Sequence, residues 1–371
     1  MNATATRIPS KTRKAHHKSR AGCNTCKGRK RKCDEGQPCS YCVKRQLPCS
    51  LAPSREKSSN PVVSRHYEAP SFTFTDFGLH RHFITSTSLA QSDDEASVEV
   101  WRDAVADLAT QHQFLLHELL AVAALHLKSL RPEEAGKLEQ LAAEHQGRAI
   151  TLFRAALAAN TMDLALPLFA CSCLIIPYHF AAAKDTLSLI FNEEANTLAE
   201  WLILIQGCAA ITREHGITIV RSPLGVLLGD TSTPDTGRLS DGPTDSILLD
   251  LEAKLPISHE HREAYASSIE RLRVSFFLSD TAGSILDRKN AALRFPPSMS
   301  PIVRADLAAR QSPALIIMAF WCVLLHRVED RWWAKGRVEP LLLKIEELLP
   351  VYHRGLVEWP IKQLGIRPAT L

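Results

Sequence analysis

The sequence predicts two unlike folds in one chain of 371 residues. The first is a small α module made of two short, pseudo-symmetric helix-loop halves; the second is a large all-α domain. Three observations carry this expectation. A cysteine triplet is written twice between residues 23 and 49, the formal charge reverses sign after residue 57, and from about Val98 onward apolar residues recur at steps of three and four.

The cysteines come first. Cys23, Cys26, Cys33, Cys39, Cys42 and Cys49 read C-x2-C-x6-C-x5-C-x2-C-x6-C, one half repeated across a five-residue loop. Thiolates so spaced suit zinc, which takes four ligands in a tetrahedron. Two ions need eight ligand positions, and six cysteines fill them if two sulfurs each bridge both metals. A single ion would leave two thiolates unused. No histidine lies between Cys23 and Cys49. Six thiolates and two divalent ions leave an excess of about two negative charges, which nearby cations offset. The competing reading is a disulfide framework. Against it, Met1 to Arg20 is polar and basic with no apolar run, so no secretory leader is expected there. Cys171, Cys173, Cys208 and Cys322 stand in apolar helical surroundings as ordinary thiols.

The charge pattern comes next. Residues 1–57 hold fifteen Lys and Arg against three acids, a net of +12, while the whole chain is +4 and the remainder therefore −8. A basic head on an acidic body points to a polyanion partner for the head alone. Between Cys26 and Cys33 stand Lys27, Gly28, Arg29, Lys30, Arg31 and Lys32. A short helix leaving Cys26 is expected to place Arg29, Lys30 and Lys32 near one end, where Lys or Arg can donate to guanine O6 and N7 in the major groove. The remaining cations, Lys18, Arg20, Lys44 and Arg45 among them, would meet phosphates. A solvated basic face or a nuclear import signal is the blander alternative. The metal ligands that bracket the run favour double-stranded DNA, because they fix its geometry.

Residues 22 to 50, GCNTCKGRKRKCDEGQPCSYCVKRQLPCS, resemble the binuclear zinc-cluster DNA-binding domain of fungal transcription factors. The resemblance implies that Cys23 and Cys39 bridge two zinc ions. It also implies that Lys30, four residues after the second cysteine, reads a CG-rich triplet, with Arg29 approaching bases or phosphates. The chain departs from the pattern at Arg31, where the family often carries a hydrophobic residue, and at Gly28, where it carries a bulkier one.

The remaining segments follow in order. Residues 1–20 form a basic arm, 21–50 the cluster, and 51–96 a mostly flexible linker. Pro53, Pro61 and Pro70 interrupt any heptad there, so dimerisation is assigned to the C-terminal region. An all-helical domain is expected over 97–364. Leu116, Leu119, Leu120, Ala123, Leu127 and Leu130 make one apolar stripe with Glu118 and Lys128 off it; Pro132 opens the next helix, through Leu138, Ala142, His145, Ala149 and Phe153. Further helices are expected over 163–180, 194–214, 259–288 and 314–334, with a polar loop over 230–245. No segment reaches the ~18 apolar residues of a membrane span.

The segments WRDAVADLATQHQFLLHELLAVAALHL and HQGRAITLFRAAL, together with the stretch from FPPSMSP to DRWW, resemble the all-helical regulatory domain of the sterol uptake control factors and their relatives. That resemblance implies a hydrophobic small-molecule ligand, control of nuclear entry, or regulation of secondary-metabolite genes. No nucleophile elbow, P-loop or dinucleotide fingerprint occurs, so no catalytic residue and no enzyme is expected. His112 and His117, five apart, miss a shared helix face. Trp201, Trp321, Trp332, Trp333 and Trp359 are read as core rather than pocket lining. The expectation is a nuclear, sequence-specific DNA-binding regulator of RNA polymerase II genes in a sterol, lipid or secondary-metabolite pathway. It carries two zinc ions and has double-stranded DNA, a hydrophobic ligand and a second copy of itself as candidate partners. The competing expectation is a ligand-sensing or protein-interaction regulator whose cluster is only structural or an import element.

Overall fold

The computed structural model describes residues 21–51 and 72–366, apart from Asp93, Asn160, Glu193, Ala195, 230–238 and Asp241. The expected basic arm, the stretch 52–71 of the expected linker with its three prolines, and most of the 230–245 loop lie outside them. The chain divides into two compact units, before and after the junction of Ser71 and Phe72.

The first unit holds two five-residue helices, α1 (Asn24–Gly28) and α2 (Ser40–Lys44). Among the described residues its interior is sulfur: Cys23, Cys26, Cys33, Cys39 and Cys42 are buried, with Tyr41, Leu47, Cys49 and Leu51 packed around them.

The second unit starts earlier than the sequence implied. α3 (Phe74–His82) runs through a π-helical turn, Phe83–Thr87, into α4 (Ser88–Gln91). The boundary expected at 97 is therefore corrected. Thr73 and Asp76 form a reciprocal capping box that starts α3: the Thr73 hydroxyl accepts from the Asp76 amide at 3.3 Å, and Asp76 accepts from the Thr73 amide at 2.8 Å. α5 (Glu95–Glu99), capped by Asp94, continues through a second π segment, Val100–Val105, into α6 (Ala106–Gln111). α7 (Gln113–Leu130), α8 (Ala135–Ala159) and α9 (Ala165–Ala182) follow.

α7 is sheathed by α3, α8 and α9. It is therefore buried nearly all round from Phe114 to His126. Glu118, placed off the apolar stripe by its spacing, has no solvent exposure at all, whereas Leu130 at the helix end is 59% exposed. The one-stripe expectation failed because three helices pack against α7 rather than one. The expectation about membrane spans is also corrected. Met162–Ala182, 21 residues, is long and apolar enough to cross a bilayer, but 72% of its apolar window is buried inside the unit, as in a core helix.

A two-residue antiparallel ladder, β1 (Phe191–Asn192) with β2 (Thr197–Leu198), precedes α10 (Glu200–Val220), so the helix expected from 194 begins six residues later. Then come α11 (Asp245–Lys254) and α12 (Arg262–Asp280). α13 (Ile285–Leu293) is separated from α12 by a break at which the Ser284 hydroxyl accepts from the Asp287 amide, so the single helix expected over 259–288 is two. α14 (Phe295–Ser298), α15 (Pro301–Ala308), α16 (Ser312–His326), α17 (Val338–Leu348), α18 (Val351–Arg354) and α19 (Glu358–Gln363) complete the unit. α16 stops at His326, short of the expected 334.

The tryptophans pack on one another. Trp201 stacks on Trp321 with centroids 6.1 Å apart, and Phe180 meets Trp201 and Trp333 edge-on. The Trp201 and Trp321 indoles donate to the carbonyls of Leu189 and Ala292, each at 2.8 Å. Trp201 and Trp321 are thus buried with their polar edges satisfied, as suits tryptophan in a core.

Candidate metal centre and nucleic-acid interface

The two halves of the first unit superimpose in their bonding at an offset of sixteen residues. Cys23 and Cys39 are the N-caps of α1 and α2. The Cys23 amide donates to the Cys33 sulfur at 3.3 Å, and the Cys39 amide to the Cys49 sulfur at 3.4 Å. Both helices end in the same way. The Lys30 amide donates to the Lys27 carbonyl and the Arg31 amide to that of Cys26; Gln46 and Leu47 repeat this on Val43 and Cys42. That pair of bonds is a Schellman termination, which places its pivot residue in the left-handed region. Lys30 has φ 49° and Gln46 φ 53°. The halves are also clamped reciprocally. Asp34 accepts from the Ser40 amide at the head of α2, and Ser50, its counterpart, accepts from the Asn24 amide at the head of α1 at 2.9 Å. The Thr25 hydroxyl adds a bond to the Pro48 carbonyl at 2.5 Å.

The sulfurs converge as two overlapping sets. Cys23, Cys26, Cys33 and Cys39 lie within 4.8 Å of one another, and so do Cys23, Cys39, Cys42 and Cys49. Cys23 and Cys39 belong to both. The Cys23–Cys39, Cys23–Cys42 and Cys26–Cys39 sulfur pairs are each 3.7 Å apart. A tetrahedron of sulfurs about 2.3 Å from a zinc ion has edges of about 3.8 Å, so these spacings fit two metal tetrahedra sharing an edge. Burial, helped by the neighbouring Cys23 sulfur, pushes the Cys26 thiol up to about 12. So dense a set of thiolates needs cations at its centre.

The basic hexapeptide lies at the exit of α1 rather than along it. The helix begins at Asn24 and ends at Gly28, so the expected helix carrying Arg29, Lys30 and Lys32 is corrected to a one-turn helix followed by a left-handed corner. The cause is the Schellman termination, which the Cys26 carbonyl anchors. Lys27, Arg29, Lys30, Arg31 and Lys32 are all exposed. In the second half the same backbone positions hold Val43, Arg45, Gln46, Leu47 and Pro48, with Leu47 turned onto the sulfur core. Only one half of a near-symmetric scaffold is thus strongly cationic. Lys44 and Arg45 are exposed at the end of α2; Lys18 and Arg20 lie outside the described residues.

Residues 21–58 match the fungal Zn(2)-Cys(6) binuclear cluster domain, and residues 78–238 match the fungal specific transcription factor domain. The chain thus carries both domains of the fungal zinc-cluster transcription factors, and its homologues are members of that family. Members of this family bind DNA, and the cluster domain binds two zinc ions. The chain is similar to a Zn(2)-C6 fungal-type transcription factor, afumD, of Aspergillus fumigatus, at 28% identity over 54% of this chain and 55% of that protein. It resembles a Zn(2)-C6 factor of Gibberella zeae at 24% identity, covering 94% of this chain and 86% of the relative. Sterol uptake control protein 2 of Saccharomyces cerevisiae aligns at 28% identity over 45% of this chain and 19% of its own length. The match to the first of these relatives thus spans about half of that protein.

The family's helical domain here holds a polar network that spacing alone could not reveal. His117 on α7 and His145 on α8 approach Nδ1 to Nδ1 at 2.9 Å, and His145 Nε2 meets Asp76 of α3 at 3.1 Å. Burial holds His117 down at about 4, with His145 and Arg148 adding to the effect. His126 is held at about 4 by burial and by His82, and its Nδ1 lies 2.9 Å from the Thr87 hydroxyl. Fully buried Glu118 lies against the Gln146 side-chain amide, whose nitrogen would donate to it at 2.7 Å with the amide turned over, and burial raises its carboxyl to about 8. Their separations of 28, 69 and 39 residues place all these partners beyond any local motif.

Proposed function

We propose that the chain is a sequence-specific regulator of fungal RNA polymerase II genes, acting in the nucleus. Cys23, Cys26, Cys33 and Cys39 hold one zinc ion; Cys23, Cys39, Cys42 and Cys49 hold the other. Lys30 makes the principal base contact and Arg29 the second. Lys27, Arg31, Lys32, Lys44 and Arg45, with Lys18 and Arg20, meet phosphates. Supporting this is the one-sided charge of a two-fold scaffold: the sulfur core positions both helix exits alike, and only one of them carries a run of cations. A rigid corner with exposed donors suits base edges; a mobile basic tail would bind phosphate without register.

Regulation belongs to the helical unit, through self-association or a small ligand. Sterol or lipid pathways are the first candidates, because one relative is a sterol uptake control protein; secondary-metabolite genes are the second. The experiment is selection of bound duplexes by the zinc-loaded full chain. Enrichment of CG-rich triplets by the parent, lost in Lys30→Ala at a cost of about 1–3 kcal/mol, supports the reading. Equal binding to every duplex by parent and variant would sink it.

A further inference from the structure

Among the described residues, α10 leaves one face without cover. Its inner side is core, with Trp201, Leu202, Ile211 and Ile219 each 2% exposed or less. Its outer side presents Ile203, 56% exposed, Ile217, 73% exposed, and Val220, 56% exposed, with exposed Ala210 midway between the two isoleucines and exposed Arg213 and Glu214 beside it. Seven-residue steps keep Ile203, Ala210 and Ile217 on one stripe of the helix, and the two isoleucines stand about 21 Å apart along its axis. The stripe ends in opposite charges. Glu200 opens the helix and exposed Arg221 closes it.

This pattern is self-complementary. If a second α10 is laid antiparallel with the two-fold axis at Ala210, Ile203 of each copy meets Ile217 of the other. Glu200 of each then meets Arg221 of the other. The small side chain at the axis permits close approach of the two helices. Such a contact is isologous: the same patch serves both copies, and the pairing closes at two. We infer that this face of α10 is the surface through which a second copy of the chain docks, as a two-fold symmetric, antiparallel helix pair. The inference gives the self-association assigned to the helical unit a specific surface. A single helix pair falls at the small end of protein interfaces, below about 1,200 Å2, so the dimer forms at micromolar rather than nanomolar chain concentration. Two cluster domains on adjacent DNA half-sites would then add avidity to a weak contact.

The test is sedimentation velocity on the zinc-loaded full chain, without DNA, over a range of concentrations. The expected result is a monomer–dimer equilibrium that Ile203→Glu or Ile217→Glu weakens at least about tenfold, because each buries two unpaired carboxylates. Glu200→Arg alone and Arg221→Glu alone set like charges together and weaken the dimer; the double exchange restores it. Glu200 also accepts from Arg154 at 2.6 Å, so Arg154→Ala is the control and leaves the dimer constant unchanged. All these positions are at the surface, and the charge exchange decides the matter even if an isoleucine variant misfolds. A chain that stays monomeric throughout, a dimer indifferent to Ile217→Glu, or a double exchange no better than its singles overturns the inference. DNA selection by Lys30 is read in a separate assay, so either conclusion can fail without the other.

Discussion

Lys30 joins two demands on one residue. Its φ of 49° is left-handed, where a residue with a Cβ costs about 1–2 kcal/mol more than glycine. Its side chain belongs to the exposed cationic run. These demands separate by substitution. Lys30→Gly is expected to relieve the backbone and slow zinc loss to a chelator, while weakening DNA binding by about 1–3 kcal/mol. Lys30→Ala weakens binding equally with no gain in cluster stability. Chelator-challenge kinetics alongside binding titrations check this, and a Lys30→Gly chain that binds DNA as the parent does would remove Lys30 from base recognition. The cysteines divide in the same way. Cys49 belongs to one sulfur set and Cys23 to both. Cys49→Ser should therefore lower bound zinc toward one ion per chain, and Cys23→Ser should lower it further. Elemental analysis distinguishes that order from equal losses, which would mean that no sulfur is shared.

At the scale of elements, what could be read from the sequence depended on how local the determinant was. The six-cysteine repeat carries its geometry in its spacing, and the structure gathers its sulfurs as two tetrads. The end of α1 was not legible, because a Schellman turn with lysine in place of glycine gives no compositional signal. The start of the helical unit was missed for a related reason. The Thr73–Asp76 capping box is a visible start signal, but α3 that follows has a weak apolar stripe, with Phe74 95% and Phe77 65% exposed. Besides buried Leu79, α3 is held by Asp76, which caps the helix and meets His145 across 69 residues of sequence. Removing it by Asp76→Ala deletes a cap worth about 1 kcal/mol and leaves a buried ring nitrogen unpaired for about 1–3 kcal/mol more. Hydrogen exchange should therefore accelerate over 74–91 before the rest of the unit responds. Uniform acceleration across α7 and α16 as well would show that α3 is not a separately held element.

At the scale of the whole molecule, three buried groups give the helical unit a stability maximum in pH. His117 and His126 titrate at about 4 when folded and near 6.5 when unfolded. Between those values the unfolded chain binds the extra protons, so stability is complete above about 6.5 and is lost as pH falls toward 4. Glu118 has the opposite sign. Its folded value near 8 lies above its unfolded value of 4.5, so its contribution is complete below 4.5 and is lost as pH rises through 8. Each group contributes at most about 1.4 kcal/mol per pH unit. From 4.5 to 6.5 two histidines outweigh one carboxyl and stability rises; above 6.5 the carboxyl acts alone and stability falls. The melting temperature of the helical circular-dichroism signal, at constant zinc, is thus expected to peak near pH 6.5. Glu118→Gln should abolish the alkaline decline and steepen the rise between pH 4.5 and 6.5, while His117→Gln and His126→Gln should flatten the acid side alone. A parent whose melting temperature keeps rising from pH 6.5 to 8 would mean that Glu118 is ionised in the fold, and that the core between α7 and α8 admits the water its burial excludes.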